Sequence, residues 1–134
     1  MKLIYKKIEE NNLEGVNELL EKNFNHKLDN IVNNNEKYSL IALNGNEVVG
    51  HVFVTKIYND IKKIYWIKVD YVCVKEEYRN KKIATTLLEK MEEIEKNISY
   101  YELTCSQESV VEKLYLKSGY NLVDTNLLRK FIKK

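Results

Sequence analysis

The chain has 134 residues, a length that suits one domain spanning 1–134 and allows a core without disulfide or metal staples. Its 44% hydrophobic and 31% charged residues are ordinary for a soluble protein, and a net charge of +2 is too small to argue for nucleic acid or an acidic membrane. No apolar run reaches the roughly 18 residues of a membrane span, and MKLIYKKIEENN lacks the apolar stretch and cleavage site of a secretory leader, so a cytoplasmic protein with no membrane association is expected.

Residues 3–8, LIYKKI, read as a short strand. In LEGVNELLEKNF (13–24), Leu13, Val16, Leu19, Leu20 and Phe24 recur at helical spacing. Leu28, Ile31 and Val32 suggest a short second helix, ended by the asparagines at 33–35. YSLIAL (38–43) and EVVGHVFVTKIY (47–58) flank Asn44-Gly45-Asn46, and Asn and Gly both tolerate positive φ, so the pair predicts a hairpin. A second turn at Asn59-Asp60 leads into KKIYWIKVDYVCV (62–74). The helix predicted at 82–96 carries Ile83, Leu87, Leu88, Met91 and Ile94 as its apolar stripe. SYYELTC (99–105) is a further strand. SQESVVEKLYLKSG (106–119) is a helix, with Ser106 as N-cap and Gly119 to end it. YNLVDTNLLRKFI (120–132) closes with one or two strands. The order β-α-α-β-β-β-α-β-α-β-(β) is a mixed α/β fold, with an antiparallel hairpin region and a later β-α-β crossover.

Cys73 and Cys105 lie in apolar strand-like segments and are predicted to be free, buried thiols in a reducing compartment. Cys73 has no basic partner nearby in sequence to make it a nucleophile. His26 and His51 show no metal-ligand spacing with other donors, so no metal is expected.

Two stretches carry chemistry. Alternation along 62–74 places Tyr65, Ile67, Val69, Tyr71 and Cys73 on one, core-facing side. Asp70 then falls on the other side, among Trp66, Lys68, Val72 and Val74. Such an acid is either exposed or salt-bridged beside Lys68, or a carboxylate facing a pocket. Next, the helix at 82–96 has its charges reversed. Arg79, Lys81 and Lys82 precede it, and Glu89, Glu92, Glu93 and Glu95 end it, against the helix dipole. The basic loop is either solvated or an anion site made with the unpaired N–H groups of the helix's first turn.

At these residues the sequence resembles the GNAT superfamily of acetyl-CoA-dependent N-acetyltransferases. Arg79-Asn80-Lys81-Lys82-Ile83-Ala84 is similar to the family's Arg/Gln-x-x-Gly-x-Gly/Ala signature, set within VDYVCVKEEYRNKKIATTLLEKM. SVVEKLYLKSGY (109–120) resembles the family helix with a Tyr four residues before a Gly-aromatic pair, and the resemblance covers nearly the whole chain. Lys82 departs from the pattern, standing where the family has its first glycine. Lysine fits there if φ stays negative, and its ammonium then reaches toward a phosphate.

The resemblance implies a mostly antiparallel central sheet flanked by about four helices. It implies that main-chain amides of Asn80, Lys81, Lys82, Ile83, Ala84 and Thr85 hold the coenzyme A diphosphate, with the Arg79 and lysine side chains nearby. It further implies that the strand at Val72, Cys73 and Val74 splays from its neighbour and that the pantetheine arm pairs with it. The reaction implied is direct attack of a primary amine, of a small molecule or peptide, on acetyl-CoA. Asp70 is the first candidate base and Glu102 the second, unless Glu102 is merely a surface residue. Tyr115 either serves the leaving thiolate or is a packed core tyrosine. The alternative is a non-catalytic acyl-CoA-binding or sensing domain of the same fold, as monomer or homodimer in either case. A nucleic-acid partner is not expected, since the chain lacks a basic surface run and a stacking motif. The acceptor is expected to be set by segment 23–37, the 56–63 hairpin and the C-terminal strand. Asp29 and Glu36 there either favour a cationic acceptor or occupy an exposed helix face.

Overall fold

A computed structural model describes residues 2–104, 110–122 and 127–131. The first strand, β1 (Ile4–Lys7), leads through a 3-10 turn at Glu10–Asn12 into α1 (Leu13–Phe24). Then come β2 (Lys37–Asn44), β3 (Glu47–Asn59) and β4 (Ile64–Val74). A second 3-10 turn, Glu76–Tyr78, precedes α2 (Ile83–Ile94). The chain continues through β5 (Ile98–Thr104), α3 (Val110–Lys117), β6 (Asn121–Leu122) and β7 (Leu127–Phe131). The described strands form one seven-stranded sheet in the order β1-β2-β3-β4-β5-β7-β6. Only β4 and β5 pair in parallel, joined by α2 as the crossover. Cys105 and Ser106 lie outside the described residues.

The second helix predicted around Leu28, Ile31 and Val32 does not form; residues 25–36 are irregular. Asn25 leaves α1 with φ +52. The Asn17 side chain then takes both main-chain groups of Leu28, accepting from its N–H at 2.8 Å and donating to its carbonyl at 3.0 Å. Asn34 does the same work further on, its Oδ1 accepting from the N–H groups of Glu36 and Lys37. Asparagine side chains outcompete the helical pattern here. Leu28 and Ile31 still pack on the core, so the apolar spacing reflected burial without reflecting a helix.

The sheet buries both faces. On one side Val16, Leu19 and Leu20 of α1 pack with Ile41, Leu43, Val48 and Cys73. On the other, Ile83, Leu87, Leu88 and Met91 of α2 pack with Leu40, Val52, Val54, Ile67, Val69 and Leu103. The uniform core face read for Tyr65, Ile67, Val69, Tyr71 and Cys73 is not what forms. Val54 faces Val69 across the ladder while Phe53 faces Tyr71, which leaves Asp70 unpaired in a β-bulge. One extra residue shifts the alternation. Ile67 and Val69 point to the α2 core, whereas Tyr71 and Cys73 join the α1 core.

Gly50 sets how closely α2 approaches the sheet. A Cβ there would sit 2.9 Å from Ile83 Cγ2 and 3.2 Å from Leu87 Cδ1. The acidic end of α2 is paired across space, Glu92 with Lys130 Nζ at 2.8 Å and Glu95 with Lys56 Nζ at 3.2 Å. Cations from β7 and β3 thus offset the unfavourable dipole at that end. At the C-terminus of α3, Gly119 takes φ +96, and Tyr120 N–H returns to the Tyr115 carbonyl at 3.1 Å.

Candidate active site

The first turn of α2 begins with Ile83, Ala84 and Thr85. No side chain caps it, and the first helical bond is Thr86 N–H to the Lys82 carbonyl at 3.0 Å. The three preceding N–H groups therefore have no protein acceptor among the described residues, and they coincide with the positive end of the helix dipole. Lys82 enters the helix with φ +62 and ψ +21, and Asn80 has φ +65. The condition set for lysine at this position, a negative φ, is thus not met. The tight turn into α2 demands the left-handed conformation that glycine adopts without strain, and lysine adopts it at a cost of about 1–2 kcal/mol. Left-handed residues ahead of a helix turn successive N–H groups toward a common point, a geometry that suits an anion. Lys81 and Lys82 beside it are exposed, and neither forms an ion pair among the described residues.

Arg79 is engaged within the protein. Its Nε donates to the Val74 carbonyl at 3.1 Å and its Nη2 to Asn23 Oδ1 at 2.9 Å. The guanidinium is committed to the end of β4 and the last turn of α1. The loop is also tied at Tyr78, whose hydroxyl donates to Glu47 Oε1 at 3.0 Å and accepts from Asn44 Nδ2 at 2.8 Å. Lys75 pairs with the same Glu47.

β4 and β5 pair from Tyr65↔Ile98 to Lys68↔Glu102 and no further. The pairing stops just before the Asp70 bulge, while β4 continues to Val74. The β5-facing edge of residues 69–74, which includes Val72, Cys73 and Val74, thus has no β5 partner. Cys73 is buried against the α1 core, and burial pushes its thiol pKa up to about 12, which holds it protonated.

Both candidate carboxylates flank the parting point. Asp70 accepts from the Thr55 hydroxyl at 2.7 Å and lies 3.6 Å from Lys68 Nζ. Glu102 accepts from Arg129 Nε at 2.7 Å, and Arg129 stacks over the Tyr100 ring at 5.1 Å. Lys68, Glu102 and Arg129 are cross-strand neighbours in one row. Tyr115 is 5% exposed within the α2-side core, its ring edge-on to Tyr120 at 6.0 Å. Strand alternation puts Tyr115 on the opposite face of the sheet from that row. Close to Asp70 on the α1 side, Tyr71 meets Phe24 at 5.2 Å and stacks with His26 at 5.5 Å.

Asn23, Thr55 and Arg129 carried no mark in the sequence. Each lies on a different element from its partner, and no spacing rule reports such contacts. A surface hollow lined by Tyr5, Leu40, Lys90, Glu93 and Ile94 sits toward the other end of α2 and brings together none of the predicted site residues.

A family model described as "Acetyltransferase (GNAT) domain" matches residues 7–133. The chain belongs to the GNAT acetyltransferases. Solved structures agree on the fold. NAA60 of Arabidopsis thaliana, in complex with a bisubstrate analogue, superposes with a TM-score of 0.84 at 16% identity, over 98% of this chain and 100% of that one. The PaiA N-acetyltransferase of Thermoplasma acidophilum, in complex with coenzyme A, gives 0.79 at 18% identity, over 98% and 100%. An aminoglycoside acetyltransferase from an uncultured soil metagenomic sample, in complex with sisomicin, gives 0.72 at 16% identity, over 87% and 86%. No curated protein matches the sequence. Within the GNAT fold, the free amides heading α2 and the parted strands stand at the same end of the sheet, since β4 runs from the parting point into that loop. No helix among the described residues is long and apolar enough to cross a membrane.

Proposed function

We propose that this GNAT protein transfers the acetyl group of acetyl-CoA to a primary amine of a small molecule or peptide. The observation that carries the proposal is the set of unpartnered N–H groups on Ile83, Ala84 and Thr85, placed beside the gap between β4 and β5. A diphosphate fits the first feature, because it supplies several acceptors and negative charge at a helix N-terminus. A pantetheine amide arm fits the second, as an added strand along residues 72–74. Acetyl-CoA supplies an activated acetyl thioester to this site.

The acceptor amine has a pKa of roughly 10 and arrives protonated. It becomes nucleophilic only after losing a proton. Asp70 is the better placed base. Its carboxylate is held by a neutral hydroxyl and a lysine at 3.6 Å, whereas Glu102 is in a close charge-assisted pair with Arg129. The free amine attacks the carbonyl carbon, an amide N–C bond forms and the C–S bond breaks. A main-chain N–H of 72–74 stabilises the oxygen as charge builds on it. Tyr115 donates a proton or hydrogen bond to the departing thiolate. Asp70 and Tyr115 belong to opposite faces of the sheet, so a reacting pair that touches both must meet in the gap.

The test is release of free thiol from acetyl-CoA across a panel of polyamines, aminoglycosides, amino acids and short peptides. Release with at least one amine, slowed in Tyr115→Phe, supports the proposal. The second reading, a domain that binds acetyl-CoA without turnover, draws on the strained Lys82 in the glycine position. Thermal stabilisation by acetyl-CoA with no release on any amine favours that reading.

A further inference from the structure

Arg79 occupies the position at which the family signature puts its Arg or Gln, next to the anion site, yet both of its hydrogen-bonded nitrogens face elsewhere. We infer that Arg79 is a positioning residue: it braces the loop ahead of α2 against α1 through Asn23, and the phosphates are met by other groups. The inference rests on the acetyl-CoA reading above.

The brace is built at both ends. On α1, the Asn23 amide is oriented by its own Nδ2, which donates to the Leu19 carbonyl at 2.8 Å. That bond fixes which side of the amide is oxygen, so Oδ1 is the atom that meets Arg79 Nη2 at 2.9 Å. A flipped amide would set NH2 against guanidinium, two donors face to face. On β4, Arg79 Nε takes the Val74 carbonyl, the last of the strand, at 3.1 Å. One planar side chain thus ties the end of β4 to the last turn of α1, with its own main chain starting the run that leads to α2. Guanidinium suits this because its donors diverge from a rigid plane.

The neighbouring residues show why a brace is needed. Asn80 and Lys82 both have positive φ. Two non-glycine residues in that region within three positions relax unless their surroundings hold them. The other tie, Tyr78 to Glu47 and Asn44, sits one residue before Arg79 and reaches the opposite hairpin. Between the two ties the loop is held from both sides. The exposed ammonium groups of Lys81 and Lys82, in contrast, are uncommitted and follow directly into the helix, so the site has cations for an anion without Arg79.

The experiment measures coenzyme A affinity by calorimetry at two salt concentrations for the intact chain and for Asn23→Ala, Asn23→Asp, Arg79→Met and the Asn23→Ala/Arg79→Met double variant. Loss of one solvent-exposed hydrogen bond predicts a fall of about three- to tenfold for Asn23→Ala, although Asn23 touches no phosphate. Asn23→Asp keeps an acceptor for Arg79 but loses the donor to the Leu19 carbonyl, so its affinity falls less than that of Asn23→Ala. The double variant is no weaker than Arg79→Met, because the two residues act as one unit. The salt dependence keeps its slope throughout, since no phosphate contact is lost. Unchanged affinity in Asn23→Ala overturns the inference, whether or not its melting temperature falls. A flattened salt slope in Arg79→Met overturns it too, by making Arg79 a phosphate ligand. Failure of the unaltered chain to bind coenzyme A removes the transferase reading first and this one with it.

Discussion

Arg129 Nε donates to Glu102 Oε1 at 2.7 Å, and Glu102 in turn lies opposite Lys68 across the parallel ladder. Of the two carboxylates at the point where β4 and β5 part, this one is held close by a guanidinium. Asp70, on the bulge, has the Thr55 hydroxyl as its near partner and only a looser ion pair with Lys68 Nζ at 3.6 Å.

Removing the charge of Asp70 should therefore hurt turnover far more than removing that of Glu102. Asp70→Asn preserves the size of the side chain and its acceptor for Thr55. Its kcat in the thiol-release assay should fall by about 100-fold or more, the range of general-base catalysis. Glu102→Gln should lose less than about tenfold by the same reasoning. The reverse order would assign the base to Glu102.

Lys82→Gly should stabilise the protein. It relieves left-handed strain of about 1–2 kcal/mol, offset in part by the greater freedom of glycine in the unfolded chain. A rise in melting temperature of about 2–4 °C is expected. Lys82→Ala, which keeps a Cβ, should give no such rise.

Gly50→Ala should act at a distance on the candidate anion site. The added methyl meets Ile83 and Leu87 at 2.9 and 3.2 Å and pushes the head of α2 off the sheet. Overpacking of this kind destabilises by about 1–3 kcal/mol. Denaturant melts should show the loss, and coenzyme A binding should weaken with it, because the displaced turn carries the free amides.

His51 gives a pH dependence with a definite sign. It is fully buried, hydrogen-bonded through Nε2 to Ser39 Oγ at 2.9 Å, and burial pushes its pKa down to about 3. In the unfolded chain it binds a proton near pH 6.5, so between those values the unfolded state holds more protons. Its contribution is fully present above about pH 6.5 and is lost as pH falls, by up to about 1.4 kcal/mol per unit. Urea melts between pH 5 and pH 7.5 should show this slope, and His51→Gln, which does not titrate, should flatten it.

Much of the fold was legible because it is local. The apolar stripes of α1 and α2, the Asn-Gly hairpin and the glycine ending α3 each depend on residues a few positions apart. The same holds for the candidate anion site, whose head-of-helix amides and basic residues are contiguous in RNKKIATT. What misled were contacts made across the chain. Asn17 captured Leu28 and cancelled a helix whose apolar spacing was sound. The bulge at Asp70 came from pairing with β3, and it moved Tyr71 and Cys73 to the other core.

The sequence by itself determined the order of strands and helices apart from the absent helix around Leu28, and it marked the basic loop before α2 as a candidate anion site, since both follow from short-range periodicity and chain chemistry. Tertiary structure alone decided that Lys82 goes left-handed, that Arg79 turns back to Asn23, and that Glu102 rather than Asp70 is claimed by an arginine. Those outcomes depend on which side chains from distant segments arrive at the same few ångströms, and only packing of the whole sheet brings them there.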